Sequence, residues 1–188
     1  SDLTAVGKEH ATIDFTDADL ANADLSGSEL YAYAYYGDAT IDLTEADLTN
    51  ADLSGSDLTA VGKEHATIDF IDADLANADL SGSELAAYAY DGGATIDLTE
   101  ADLTNADLSG SELTAVTSGS YGSSTARTSL PLVRNTHRLT IDFIDADLAN
   151  ADLSGSELTA VTGGSYVSST IDFTAATLAN TDLSGSEL

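Results

Sequence analysis

The chain lacks cysteine, methionine and tryptophan, and it contains a single proline among its 188 residues. Without cysteine, neither a disulfide bond nor a zinc–thiolate site can form. The sequence also has no uninterrupted apolar run of the ~18 residues that a transmembrane helix requires. These absences exclude a disulfide-stapled domain and predict that no helix of this chain spans a membrane.

Basic residues are scarce: five lysines and arginines stand against 33 acidic residues, for a net charge of -28. Because contacts to phosphate require lysine and arginine, this balance argues against direct binding of nucleic acid or of an anionic membrane. The charge is compatible with binding of basic proteins or metal cations and with an environment of high ionic strength. High charge can also indicate disorder, but the regular spacing of leucine, isoleucine and phenylalanine favours a folded chain.

A five-residue period organises the sequence, and it is clearest in residues 141–160, which read IDFID-ADLAN-ADLSG-SELTA. Each unit has a large apolar residue at its centre and an acid directly before that residue. Two positions before the centre, three of the four units have a small residue. A period of five fits neither an α-helix nor a simple strand alternation. The central residues of this stretch are Phe143, Leu148, Leu153 and Leu158.

Longer repeats overlie the five-residue period. A block of about four units starts with the motif T-I-D-[FL], and inserts of uneven length separate successive blocks. The first 55 residues match residues 56–110 except at four positions, which indicates duplication of a two-block unit. The blocks begin at Thr12, Thr40, Thr67, Thr95, Thr140 and Thr170.

The units ADLAN, ADLSG, TDLSG and SELTA resemble the pentapeptide-repeat family, whose pattern is a small residue, Asp or Asn, Leu or Phe, a small polar residue and a loose position. The resemblance implies an all-β fold, a right-handed quadrilateral parallel β-helix (a β-solenoid) of about six coils with inserts at one corner. Four units would form the four sides of one coil. We expect residues 1–188 to be a single solenoid and a segment of a longer array.

The same pattern predicts which side chains face inward. The central residues should fill the interior, and the small residues should fill the corners, because two large residues per side would overfill a narrow tube. An isolated coil should not be stable, since only stacked coils supply the hydrogen-bond ladder and a continuous core. In the first coil the inward residues are Phe15, Leu20, Leu25 and Leu30, and the corner residues are Ile13, Ala18, Ala23 and Ser28.

The acids should line up in columns along the outside of the rod. Carboxylates ~4.8 Å apart repel by roughly 0.9 kcal/mol in unscreened water, so the rod is expected to need salt or bound cations. The sequence predicts no cofactor and no dedicated metal site. The alternative is weak binding of Ca²⁺ or another cation by the columns, without a D-x-D-x-D-G loop.

The inserts carry the residues that break the repeat, including all eight tyrosines, which lie in or beside them. In YAYAYY (residues 31–36) and YAY (residues 88–90) the tyrosines alternate as on a strand, so one face should be aromatic. This face either binds a protein, a glycan or a neighbouring rod, or it covers the open corner of its own tube. The predicted interaction edge consists of Tyr33, Tyr35, Tyr36, Tyr88, Tyr90, Arg127, Arg134 and Arg138.

Residues 116–140 are predicted to form one long irregular insert. No acid occurs in residues 118–139, where three arginines flank the apolar stretch Leu130-Pro131-Leu132-Val133. The segment either folds back onto the acidic columns of its own or a neighbouring rod, or serves as a protease-sensitive linker.

No catalytic motif emerges from the sequence. The histidines lie in inserts, which favours solvated loop residues over a hydrolytic triad. Gly62-Lys63 does not fit a phosphate-binding loop, because Glu64 follows the lysine and the earlier glycine is missing. We therefore predict that the protein is not an enzyme.

Near-identical tandem copies of small polar and acidic residues favour a structural function. We expect a non-catalytic scaffold, a segment of a fibre-like or adhesive array at the cell surface or outside the cell, that associates with itself end to end or laterally or binds another protein. A cytoplasmic location is the alternative. The resemblance implies a competing function, since some pentapeptide-repeat proteins mimic DNA and inhibit type II topoisomerases. A generic protein-binding scaffold is the third possibility.

Overall fold

The computed structural model describes residues 2–118, 138–162 and 168–187, and in these residues the only regular elements are β-strands. Strands form where the alternation of buried and exposed residues gives one face to the interior. In chain order they are β1 (Asp2–Gly7), β2 (His10–Asp14), β3 (Glu29–Ala34), β4 (Asp38–Asp42), β5 (Asp57–Gly62), β6 (Ala66–Asp69), β7 (Glu84–Ala89), β8 (Ala94–Asp97), β9 (Glu112–Thr117), β10 (Arg138–Asp142), β11 (Glu157–Thr162) and β12 (Ser168–Asp172).

The strands form two parallel sheets, each with one strand from every coil. The odd-numbered strands pair in the order β1-β3-β5-β7-β9-β11 and form sheet 1, and the even-numbered strands form sheet 2. Equivalent residues of successive blocks pair in register, for example Leu30 with Leu58 and Ile41 with Ile68. Two further columns of parallel bridges run through the acids of the second and third units. Two sheets and two bridge columns make four sides, so the predicted β-solenoid is confirmed, with five full turns from β1 to β11.

The large apolar residues at the unit centres fill the tube, as predicted. In the second coil, Leu43, Leu48, Leu53 and Leu58 are all at most 2% exposed. The corner positions beside them are buried too, and they hold Ile41, Ala46, Ala51 and Ser56. Two of the buried serines donate to a nearby carbonyl: Ser83 Oγ to that of Leu80 at 2.7 Å, and Ser111 Oγ to that of Leu108 at 2.6 Å. Small corners and large centres therefore pack one continuous core along the axis.

Three of the four corners are left-handed turns. The last residue of each of the first three units has a positive φ, between 56° and 75°. Asparagine occupies this position on the second side and glycine on the third, both of which tolerate the conformation better than other residues. The fifth position of the repeat varies in sequence, but its backbone conformation is constant on these three sides. The residues of the second coil that adopt it are Glu45, Asn50 and Gly55.

The acid before each central residue helps to form these turns. Asp52 Oδ1 accepts hydrogen bonds from the amide of Ser54 at 3.0 Å and from its hydroxyl at 2.6 Å. The same two-residue contact recurs on the first three sides, for example from the Thr104 amide to Asp102 at 2.9 Å. Only a short side chain reaches an amide two residues on, which explains aspartate at these positions. Glutamate appears on the fourth side, where the strand continues past the corner.

The inserts extend the strands beyond the fourth corner instead of leaving as irregular loops. These extensions (residues 5–11, 32–39, 60–66 and 87–94) form two layers that we call the fin. Ala32 and Ala34 of one layer and Ala39 of the other are buried between them. At the end of the predicted insert 116–140, β9 continues to Thr117 and β10 begins at Arg138. The intervening residues 119–137 lie outside the described residues.

Candidate functional site at the fourth corner

The tyrosines of the first aromatic insert lie on the outer face of sheet 1. Strand β3 alternates, so Ala32 and Ala34 point into the fin while Tyr31 and Tyr33 face outward. The rings of Tyr31 and Tyr33 are stacked, with centroids 6.3 Å apart, and Tyr33 meets Tyr35 edge to face at 4.8 Å. Because alanines fill the interior, the tyrosines do not close the tube; they form an external surface, as the alternation predicted.

The two aromatic inserts meet across the coil that separates them. Strand register places Tyr33 beside Val61, Val61 beside Tyr88, and Tyr88 beside Val116. An open depression of about 270 Å³ lies over this row. We call it the tyrosine groove, and it is lined chiefly by Tyr31, Tyr33, Val61, Tyr88, Tyr90 and Val116.

The environment of the groove raises the pKa of two of its phenols. Partial burial raises the pKa of Tyr31, and the nearby Tyr33 raises it further. Burial also raises the pKa of Tyr88, with an added contribution from Glu84. Tyr31 and Tyr88 therefore each offer an apolar ring and an uncharged hydroxyl, the combination that suits tyrosine for protein contacts.

The remaining residues of the predicted edge are placed as follows. Tyr35, Tyr36 and Tyr90 are more than half exposed at the outer end of the fin. Arg138 begins β10, and Arg127 and Arg134 lie outside the described residues. Of the predicted edge, the structure brings together Tyr33, Tyr35, Tyr88 and Tyr90.

The turns at the tip of the fin bring together residues that the sequence separates. The carboxylate of Asp38 lies between His10 of the preceding coil and His65 of the following coil. In the next pair of turns, Lys63 Nζ lies 3.2 Å from Asp91 Oδ2. The sequence alone predicts solvated histidines in the inserts and does not bring them together. The available signal was the 55-residue duplication, which repeats Lys-Glu-His on either side of the turn that carries Asp38.

Steric crowding explains why glycine occupies positions at the tip of the fin. A Cβ atom on Gly62 would lie 1.7 Å from the carbonyl oxygen of His65, and one on Gly37 would lie 2.0 Å from that of Glu9. The two layers approach so closely that only glycine fits at these positions. This close approach fixes where the side chains of the tip turns can lie.

The ends of the described coil stack are open. Leu3 of β1 is 42% exposed, and at the other end Leu178 is 42% and Leu183 is 37% exposed. Strands β1, β2, β11 and β12 each have one paired neighbour among the described strands. The first and last coils of the described stack thus carry partly exposed leucines at positions that are buried in the coils between them.

A hydrolytic site is not assembled in the described part of the chain. Both described histidines contact Asp38, and neither has a serine hydroxyl as a hydrogen-bond partner. The described residues also include no helix that could cross a bilayer.

The coil geometry and the repeat define the class of protein. The family model described as Pentapeptide repeats matches residues 41–61 and 96–117, in eight copies. These two segments carry pentapeptide repeats, and the coils match the fold of pentapeptide-repeat β-helices. Members of this family are generally non-catalytic scaffolds. A comparison with curated proteins gives no match.

Solved structures of pentapeptide-repeat proteins share the repeat with low overall similarity. HetL of the cyanobacterium Nostoc sp. strain PCC 7120, involved in heterocyst differentiation regulation, is 23% identical, with 100% of this chain and 84% of HetL covered and a TM-score of 0.18. QnrB1, a plasmid-mediated fluoroquinolone resistance protein, is 19% identical over 100% of this chain and 93% of its own, with a TM-score of 0.24. Rfr23 of the cyanobacterium Cyanothece 51142 is 19% identical over 99% and 82%, with a TM-score of 0.17. TM-scores this low indicate no overall superposition, so the roles of these proteins do not transfer to this chain.

Proposed function

We propose that this chain is a non-catalytic structural scaffold, part of a fibre-like or adhesive array at the cell surface or outside the cell, and that it associates end to end with further copies. The single observation that supports this proposal is the stacking of the coils: equivalent residues of successive coils pair in register along both sheets, as Leu113 of β9 does with Leu158 of β11. A free parallel edge is a template for another strand.

The two ends are matched in sequence as well as in geometry. Strand β1 reads DLTAVG and β11 reads ELTAVT, so β1 of one copy would extend sheet 1 of another after β11. The internal pair β9 and β11 already shows this register, with Leu113 opposite Leu158. Strands β2 and β12 would extend sheet 2 in the same way, since both contain the residues T-I-D.

The experiment is light scattering after size-exclusion chromatography, with negative-stain electron microscopy, over a hundredfold range of protein concentration. We expect rods that lengthen with concentration. Leu3→Asp and Leu178→Asp each place a carboxylate on one end and should give short rods. Asn50→Asp is the matched control, because it adds the same charge at an exposed position on a lateral corner and should leave lengthening unchanged. Monomers at every concentration would refute the proposal.

The tyrosine groove favours a second candidate function, binding of another protein along the side of the rod. Tyrosine is enriched at protein interfaces because it combines apolar area with a hydrogen-bonding hydroxyl. The partner should be basic at its rim, since Glu84 and Glu112 lie on the same outer face of sheet 1 as Tyr88. Paired variants Tyr33→Ser and Tyr88→Ser test this function: they should abolish binding of a basic partner and leave rod lengthening unchanged.

The competing function, DNA-like inhibition of a type II topoisomerase, makes a different prediction. An inhibitor of this kind should block supercoiling by gyrase at low micromolar concentration. A structural scaffold should not inhibit supercoiling. The variant Leu178→Asp should give the same result as the unmodified chain in that assay. Inhibition by the unmodified chain would favour the DNA-mimic function over the structural one.

A further inference from the structure

The tip of the fin places two imidazoles and two carboxylates on three consecutive levels. His65 Nδ1 lies 2.9 Å from Asp38 Oδ1, and the backbone amide of His65 donates to the same oxygen at 3.2 Å. On the other side, His10 Nδ1 lies 3.8 Å from Asp38 Oδ2. Glu64 completes the group, since one ligand atom from each of Asp38, Glu64 and His65 lies within 4.8 Å of the others.

We propose that Asp38, Glu64 and His65, with His10 beside them, bind one divalent transition-metal ion, with Zn²⁺ as the best match. Zinc is bound by histidine nitrogen and carboxylate oxygen at ~2.0–2.2 Å in a tetrahedron, so neighbouring ligand atoms lie about 3.3 Å apart. The separations of 2.9 and 3.8 Å on either side of Asp38 bracket that spacing. The ion would then join the tips of three coils.

The ligand types distinguish this site from the acidic columns. Calcium requires six to eight oxygens, whereas imidazole selects zinc, nickel and copper among divalent ions. Three of the four side chains are exposed and Asp38 is half-buried, so an ion can reach them from solvent. The surrounding charge is favourable, because the whole chain carries a net charge of -28.

The duplication repeats this arrangement only in part. Shifting by 55 residues moves His10 onto His65, but it moves Asp38 onto Gly93, and it moves Glu64 and His65 onto Gly119 and Ser120. The second copy therefore keeps one of the four ligands. Asp38 is also one of the four positions at which the two copies differ, so the stoichiometry should be one ion per chain.

The test is isothermal titration of the full chain with zinc chloride, followed by thermal unfolding with and without the metal. We expect one saturable site per chain and a melting temperature that rises with zinc concentration. His65→Ala and Asp38→Asn should each weaken binding at least about tenfold. Asp91→Asn is the matched control, since it removes a carboxylate from the same row of turns that pairs with Lys63 instead.

Two further measurements keep the result interpretable if a variant folds poorly. His10→Gln changes a side chain that is 71% exposed and should weaken zinc binding without changing the circular dichroism spectrum. In the unmodified chain, zinc should shift the ring resonances of His10 and His65. Unsaturable binding, or equal affinity in Asp38→Asn and the unmodified chain, would overturn the proposal. None of these outcomes depends on end-to-end association.

Discussion

Asp69 in β6 pairs in register with Asp97 in β8, so two carboxylates lie one coil apart on the same face of sheet 2. Burial raises the pKa of Asp69 from 3.8 to about 7, and repulsion from Asp97 and from Asp42 adds to the shift. Four of the six carboxylates in this column have threonine two residues later, whereas Asp69 and Asp142 have isoleucine there. The charged form of Asp69 is therefore disfavoured in the folded protein.

This shift predicts that Asp69→Asn stabilises the protein at high pH. The folded state holds the proton of Asp69 more tightly than the unfolded state does. The stabilisation that comes from this proton is complete below about pH 4 and is lost as the pH rises to about 7. Asp69→Asn should match the unmodified chain near pH 4 and exceed its stability at pH 8, as measured by urea unfolding across this range.

Asp47→Asn provides the opposite control. The hydroxyl and amide of Thr49 lower the pKa of Asp47, so its charged form is favoured in the folded state. Here the stabilisation is present above the unfolded pKa and is lost as the pH falls. Asp47→Asn should therefore reduce stability at pH 8. Equal effects of the two substitutions at pH 8 would show that local environment does not set these pKa values.

Gly62→Ala is predicted to destabilise the fin. The new methyl group would lie 1.7 Å from the His65 carbonyl oxygen, and backbone atoms cannot move aside as a flexible side chain would. We expect a loss of about 3 kcal/mol, at the upper end of overpacking effects. Gly55→Ala is the comparison: nothing lies within 4 Å of its added methyl, and the positive φ of 60° alone should cost about 1–2 kcal/mol. Denaturant unfolding of both variants should rank them in this order.

Glu45→Asn should stabilise the second coil. Glu45 has a φ of 57°, a conformation that glutamate adopts poorly and asparagine tolerates. The gain should be about 0.5–1 kcal/mol. Glu45→Gln separates conformation from charge, since it removes the carboxylate but keeps the same backbone preference. If both variants gain the same stability in thermal unfolding, the effect is one of charge and the conformational explanation fails.

The acidic columns predict a strong dependence of stability on salt. Columns such as Asp19, Asp47 and Asp74 pair in register through parallel bridges, with repeated charges ~4.8 Å apart. Screening weakens repulsion between exposed charges as ionic strength rises. The melting temperature should increase between about 10 and 500 mM sodium chloride. A constant melting temperature over this range would mean that the columns do not destabilise the rod.

Much of the architecture was predictable from the sequence, because the repeat is short and strict. The period of five assigned Leu43 and Leu48 to the interior and the acids to the outside, and strand alternation assigned Tyr31 and Tyr33 to one face. Each of these assignments depends only on residues near one another in the chain. The structure showed a further role of the acids that the repeat pattern alone did not indicate. Asp52 accepts a hydrogen bond from the Ser54 amide and so stabilises a turn.

What only the tertiary structure decided lies at the fourth corner, where the chain leaves the strict repeat. The contact between Asp38 and His65 joins residues 27 positions apart. It depends on the length of each insert, on continued strand pairing beyond the corner, and on glycines that let the two layers touch. The sequence by itself determined the tube, since every coil repeats the same local pattern. The contacts at the tip of the fin depend on the stacking of the coils. Residues of neighbouring coils meet there only when the strands pair in the observed register.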